Sequence, residues 1–431
     1  MPATSRELRP ALQIYCVILT GLTLLGWAFV CFNRFALHLP FPWDWPLFDP
    51  RLRFSDLTEN YDRLKLLDQG IWGGPVMFVY PAPALGIFAV LLKWFSQPVT
   101  VFLIISLTVY LAAALLFRRV IAEAGRLSWL LNTALVLTVV CSYPAIFQMD
   151  RGNIEIFSFG LVLGGICCFA KRSYWAAAIL IGLAGSIKPF PLLFLYLLLT
   201  KRLYKQASLA LGVFLVTNLV SLHWIGPTIA KAYSALAVDQ RVFFQTLVLK
   251  YLPNAIHFDH SLFSCIKQVI RLTLGWSSEE AMASRLQAAY VGYLVFAAVF
   301  GLTCLWCFRN KPVLNQLFAV TILVLVMPPV SYDYTLISVY IVWGAFMIHL
   351  FHDGNVKRPL LFLVPFAILM TPHPFLRVGN VGCGGQFNAL LLLFLLGVAF
   401  KTDLPSSLFS ERPTPNPDRQ QMAHVGAAER T

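Results

Sequence analysis

The sequence predicts an all-α, polytopic integral membrane protein, on three observations. Hydrophobic residues fill 58% of the 431 positions and charged residues only 12%, against about 25% charge in an ordinary soluble domain. Apolar stretches of roughly 20 residues, the length of a bilayer crossing, recur along the chain. Basic clusters separate them at intervals that fit a positive-inside bias. The formal net charge of +13 is therefore spread over short loops and tails, and no nucleic-acid partner is expected.

The first apolar stretch, 11–33, follows Arg6 and Arg9 without a small-residue cleavage site, so it is read as an uncleaved anchor. Further crossings are expected over 98–117, 127–147, 153–170, 206–225, 286–308, 312–328, 333–351, 359–372 and 387–400. Cytoplasmic turns are marked by Arg118, Arg119 and Arg126, by Lys171 and Arg172, by Lys201, Arg202 and Lys205, by Arg309 and Lys311, and by Lys357 and Arg358. Both termini then lie in the cytoplasm, with long exterior loops over 34–80 and 226–285. The first of these holds five basic and six acidic residues, so it carries no inward bias.

Two segments break the alternation. Residues 81–95 are apolar but number only 15, about 22 Å as a helix, and crossing would put Arg118 and Arg119 outside. A re-entrant or interfacial helix is expected there. Residues 173–200 lie between two cytoplasmic clusters and must enter and return within 28 residues, as two short helices meeting at Lys188-Pro189-Phe190-Pro191. Broken backbone at that depth is tolerated only inside protein or beside a wet cavity. Lys188 is then either a cation facing inward or a snorkelling lysine at a proline turn. The count is about twelve spans plus the re-entrant helix, in one membrane domain over 1–400. The polar tail, 401–431, is expected to be disordered and cytoplasmic.

Most of the nine cysteines lie in or beside apolar runs; Cys265 and Cys383 lie in exterior loops, and spacing does not pair them. No His-x-x-His or paired-carboxylate spacing points to a tightly held metal, so no cofactor is expected, a phosphate-bridging divalent cation staying open as the alternative.

The polar clusters all fall on the exterior half. The densest is FQMDRGNIEIF at 147–157, with Asp150, Arg151, Asn153 and Glu155 within six residues. Such groups are costly in a span unless they meet water, a partner or a substrate. The others are Asp56, Glu59, Tyr61 and Asp62; Lys188; Asp259, His260 and Ser261; Ser331, Tyr332, Asp333 and Tyr334; and His373, Arg377 and Gln386. Each has a plainer reading. Asp56 could sit on a solvated helix face, Arg151 could be neutralised by Asp150 and Glu155 at a helix start, and the tyrosines near 332 could form an interfacial belt. Asp333 fits a belt poorly.

Several stretches carry a family resemblance in order over about residues 10–400: SDLTENY at 55–61, YPAP at 80–83, DRGNIE at 150–155, SIKPFPLLFL at 186–195, DHSL at 259–262 and PPVSYDY at 328–334. In these the chain resembles the GT-C glycosyltransferases, most closely the GT87 (DUF2029) family of polyprenyl-phosphomannose-dependent α-1,2-mannosyltransferases. The resemblance implies that Asp56 is the catalytic base, that Lys188 is the lysine of the Lys-Pro turn, and that Asn153 is the asparagine of the Gly-Asn motif. The chain departs from the pattern at Tyr332-Asp333-Tyr334, where an aromatic followed by histidine is usual, and at Asp259-His260, where Asn-Gln is common.

The expected activity is transfer of a hexose, first mannose, from a polyprenyl-phosphate donor to a glycolipid or polysaccharide acceptor at the exterior face of a bacterial inner membrane. Asp56 would deprotonate the acceptor for inverting attack. Lys188, Arg151 and Arg377 would hold the donor phosphate. Tyr61, Asp150, Asn153, Glu155, His260, Ser331, Asp333 and Tyr334 would bind or orient substrate. The rival is a transporter of a lipid-linked sugar or polyol, which would need inward-facing polar groups at mid-membrane.

Overall fold

The computed structural model describes residues 5–39, 53–69, 80–123, 128–250, 252, 256–274, 279–354, 356–372, 376–378 and 381–409. In chain order the helices are α1 (Ser5–Phe35), α2 (Ser55–Asp68), α3 (Ala82–Trp94), α4 (Pro98–Glu123), α5 (Trp129–Cys141), α6 (Tyr143–Arg151), α7 (Glu155–Ala170), α8 (Tyr174–Ile187), α9 (Leu195–Thr200), α10 (Tyr204–Ile225), α11 (Ile229–Phe243), α12 (Leu262–Leu274), α13 (Glu279–Phe308), α14 (Val313–Val326), α15 (Val339–His352), α16 (Leu360–Met370) and α17 (Gly384–Lys401). Short 3-10 turns at Phe190–Phe194 and Asp333–Ser338 lead into α9 and α15. The only strands among the described residues are Arg377–Val378 and Val381–Gly382, an antiparallel two-residue pair.

Every expected crossing is helical, but among the described residues seven helices are long and apolar enough to span a bilayer: Pro10–Phe35, Pro98–Glu123, Trp129–Arg151, Tyr204–Ile225, Met282–Phe308, Asp333–His352 and Gly384–Lys401. The expected count of about twelve exceeds this because α7, α8, α14, α16 and the Phe190–Thr200 segment run only 10–17 residues, at most about 25 Å of helix against a ~30 Å core. The expected short helix at 81–95 is α3, and the break at Lys188 is present. Lys188 is extended (φ −140°, ψ 133°), as a residue before proline prefers.

Burial sorts these helices. The Asp333–His352 span is 89% buried and forms the central pillar, whereas Tyr204–Ile225 is 6% buried and lies at the periphery. Trp343, Tyr340 and Phe346 on the pillar pack against Tyr110, Phe117 and Phe318. α7 and α8 run antiparallel, and α8 packs against α10 so closely that a Cβ on Gly182 would lie 2.5 Å from the Ala210 carbonyl. This packing puts the start of α7 and the end of α8 at one end of the bundle.

The opposite end holds the basic turns and a locked chain segment. Asn315 Nδ2 donates to the Ala399 and Thr402 carbonyls at 2.6 and 2.5 Å, and its Oδ1 accepts the Leu404 N–H at 2.9 Å. Asp353 accepts from His349 Nδ1 at 2.7 Å and the Ser407 N–H at 3.0 Å. Residues 402–409 of the expected tail thus pack on α14 and α15; the remainder of the tail lies outside the described residues.

Candidate active site

The site is built on the turn between α6 and α7. Gly152 closes α6 in a left-handed conformation (φ +65°), which glycine adopts without the Cβ penalty. A Cβ there would meet Leu57 Cβ at 3.0 Å, so the first turn of α2 rests directly on the glycine. The Phe54 N–H also donates to the Asp150 carbonyl at 2.6 Å. Backbone docking of α2 on this turn carries Asp56 to Asn153, whose Nδ2 donates to Asp56 Oδ2.

Asn153 is fully buried and every polar atom of it is engaged. Its Nδ2 also donates to Tyr80 Oη at 2.8 Å, and its Oδ1 accepts the Glu155 N–H at 2.9 Å. Its carbonyl accepts from Gln148 Nε2 at 2.8 Å, and Gln148 Oε1 accepts the Tyr110 hydroxyl at 2.9 Å. Glu155, at the start of α7 where a carboxylate is favoured, is ion-paired with Lys188 Nζ. The Lys188 ammonium stands over the rings of Tyr80 and Tyr334, 5.3 and 5.1 Å from their centroids. Arg151 lies over Phe147 at 5.1 Å and 3.8 Å from Asp150.

Three carboxylates, Asp56, Asp150 and Glu155, and two cations, Arg151 and Lys188, therefore gather around this turn. Burial pushes the Asp56 carboxyl above the ordinary carboxylate range, opposed by the Asn153 amide and by the charges of Arg151 and Lys188. Burial also raises Glu59, and the charge of Asp56 adds to it. Among the described residues Asp56 has one side-chain donor, leaving acceptor capacity for a proton.

His260, Ser331 and Asp333 belong to a separate, hydrogen-bonded knot. His260 Nδ1 meets Asp333 Oδ1 at 3.0 Å, and its Nε2 meets the Ser331 and Thr335 hydroxyls, each at 3.1 Å. Asp333 also accepts from the Tyr143 hydroxyl at 2.6 Å and Asn388 Nδ2 at 3.1 Å. Asp259 Oδ1 accepts the N–H groups of Ser261 and Ser331 at 3.0 and 2.9 Å. All four are buried, and they stitch the 256–261 loop to the start of the central pillar.

Tyr61 is on the outer face of α2, 41% exposed, beneath Lys65. Asp150 is buried and gives its carbonyl to α2. Arg377 pairs through its backbone with Gly382; its side chain, like His373, lies outside the described residues. Cys265 and Cys383 are free thiols. Among the described residues no three His, Cys, Asp or Glu side chains converge on a metal position. The sequence reading gives no role to Tyr80, Gln148, Tyr143 or Asn388; Tyr80 and Gln148 lie in its YPAP and FQMDRGNIEIF stretches, whereas Tyr143 and Asn388 carry no local signal.

The sequence profile of glycosyltransferase family 87 matches residues 78–331, more than half of the chain. The chain belongs to glycosyltransferase family 87. No curated protein matches it. The protein is thus a glycosyltransferase built on membrane helices. The family match takes in Tyr80, the 150–155 turn, Lys188 and His260, while Asp56 precedes it and Asp333 follows it.

Proposed function

We propose that this family member moves a hexose, mannose first, from a polyprenyl-phosphate donor to a glycolipid or polysaccharide acceptor of the cell envelope. The observation that carries the reading is the meeting of Asp56 with Lys188 and Arg151 around Asn153. Asp56 takes the proton of the acceptor hydroxyl as that oxygen attacks the anomeric carbon from the face opposite the phosphate. The bond from the anomeric carbon to the phosphate oxygen breaks with inversion, and polyprenyl phosphate leaves carrying the bonding pair. Lys188 and Arg151 stabilise the charge that develops on it, with Arg377 a third candidate from the 376–378 segment. Glu155 holds Lys188 in place before the donor arrives.

An apolar groove of about 610 Å³ supports a lipid donor. It runs between α3, α4, α7, α8 and α10, is lined by Ile87, Leu91, Phe157, Leu183 and Trp224, and reaches Ser186 and Ile187, the residues before Lys188. An isoprenoid chain lying there would keep its phosphate at Lys188. The His260–Asp333 knot then positions the 256–261 loop and the central pillar rather than touching the sugar.

The basic turns at 171–172, 201–202, 309–311 and 357–358 lie at the end of the bundle away from Asp56. Under the positive-inside rule that end is cytoplasmic, so the site faces the exterior of a bacterial inner membrane and both termini lie inside. The five shorter apolar helices complete about twelve passes, and α3 is re-entrant.

The test is transfer by the purified, reconstituted protein, supplied with a set of polyprenyl-phosphate hexoses and envelope lipid extract. One donor should yield labelled glycolipid or glycan, and Asp56→Asn should abolish the product. Undiminished transfer by Asp56→Asn would overturn the assignment of the base.

A further inference from the structure

We propose that Tyr80 is a positioning residue that sets both halves of this site, its hydroxyl fixing the base and its ring fixing the cation. The proposal rests on the reading of Asp56 as base and Lys188 as phosphate ligand.

The first half follows from the hydrogen bonds of Asn153. Its Oδ1 is committed to the Glu155 N–H at 2.9 Å, so the amide cannot flip without stranding a buried donor. Its Nδ2 has two protons and two acceptors, Asp56 Oδ2 and Tyr80 Oη. With the amide plane pinned at Glu155 and Tyr80, the remaining N–H can point only at Asp56. The Tyr80 hydroxyl has spent an oxygen lone pair on Asn153. Asp56, Asn153 and Tyr80 thus form one hydrogen-bonded chain, whose members polarise each other.

The second half follows from the rings. Lys188 stands within 5.3 Å of the Tyr80 centroid and 5.1 Å of that of Tyr334, inside the range of cation–π attraction. The Glu155 carboxylate is its third neighbour. A phosphate that draws Lys188 away from Glu155 still finds the ammonium seated between two rings. Tyr80 itself is 8% exposed and packs against Phe88 at 6.4 Å, so its ring has little room to turn. Removing the hydroxyl and removing the ring should therefore have different consequences.

The experiment compares Tyr80→Phe and Tyr80→Leu in full-length protein in nanodiscs. Binding of polyprenyl phosphate is measured directly, and turnover uses the donor that supports transfer by the wild type. Tyr80→Phe keeps the ring, so its affinity for polyprenyl phosphate should stay within about twofold while kcat falls about tenfold, as expected for a loosened general base. The acidic limb of its kcat/KM profile should move to higher pH, because Asp56 loses a well-aimed donor. Tyr80→Leu should do the same and also weaken polyprenyl phosphate binding about five- to tenfold. A merely structural tyrosine would lower Tm and the active fraction in both variants without moving affinity or the pH limb, and that result overturns the proposal. So does equal affinity for polyprenyl phosphate in wild type, Tyr80→Phe and Tyr80→Leu. Loss of the parent reading is seen separately, as transfer that survives Asp56→Asn or binding that ignores Lys188→Met.

Discussion

Asp56 and Asp333 are both aspartates at the same end of the bundle, yet the structure uses them in opposite ways. Asp333 is buried and its oxygens meet Tyr143, His260 and Asn388 in three hydrogen bonds. Asp56 is half-buried, and among the described residues it accepts one side-chain hydrogen bond, from Asn153. A buried carboxylate tied up in three hydrogen bonds holds a fold together and leaves a substrate little room to donate a proton. One that has been desolvated without being satisfied remains available. On the proposed reading of Asp56 as the base, reactivity depends on the partners that are missing as much as on the residue type.

The sharpest way to break this comparison is to neutralise each acid. Asp56→Asn should lower transfer by about 10²- to 10⁴-fold, the range for a lost general base. Burial raises the Asp56 pKa, so the folded state binds a proton more tightly than the unfolded chain. The ionised form then costs stability as pH rises through that window, and Asp56→Asn should leave Tm unchanged or higher at neutral pH. Asp333→Asn should instead cost about 1–3 kcal/mol of stability by stranding buried donors, with KM for the donor unchanged in the enzyme that remains folded. Reversed Tm behaviour would mean the two roles have been exchanged.

Next in size is the cation. Lys188→Met should reduce kcat by about 10²- to 10³-fold, the scale for removing one donor to a developing oxyanion, and should weaken binding of polyprenyl phosphate. A variant with normal turnover would return Lys188 to the role of a structural partner for Glu155.

The pH profile sharpens the comparison further. With Asp56 raised by burial, the acidic limb of kcat/KM should lie above the ordinary carboxylate value of about 4. Asn153→Ala removes the donor that favours the charged form, so the limb should move to still higher pH, whereas Asp333→Asn should leave it in place. A limb that moves with Asp333 and not with Asn153 would count against the separation of the two regions.

The smallest effect concerns Lys267, which anchors α12 behind the knot by donating to the Leu247 carbonyl at 2.7 Å. Burial lowers its pKa to about 8, opposed by Asp259. The unfolded chain keeps that proton to about pH 10.4, so stability should rise as pH climbs from about 8 toward 10. Lys267→Met should flatten that rise in Tm without changing transfer at neutral pH. Identical Tm profiles for wild type and variant would exclude the effect.

The legible part of the site was the part that is expensive. Asp150, Arg151, Asn153, Glu155 and Lys188 stood out because polar groups between apolar stretches need a reason, and all are at the α6–α7 turn or the α8 end. Tyr80 enters the sequence reading only as part of the YPAP stretch, with no role of its own, because a tyrosine at an apolar boundary is unremarkable until its hydroxyl is seen on Asn153. Asp333 and His260 carried the same signal as Asp56, and nothing local distinguishes them. The partners that use up Asp333 come from Tyr143 and Asn388, 190 and 55 residues away in the chain.

Composition and the spacing of apolar and basic stretches determined by themselves that this chain is a bundle of membrane helices, because hydrophobicity and charge act on each segment independently of the others. They also marked the broken helix at Lys188-Pro189, since a proline constrains its neighbours wherever it stands. Which acid is spent and which is free was decided only when α2 settled on Gly152 and the 256–261 loop closed on the central pillar. Hydrogen bonds between distant residues set that difference, and a linear pattern does not contain them.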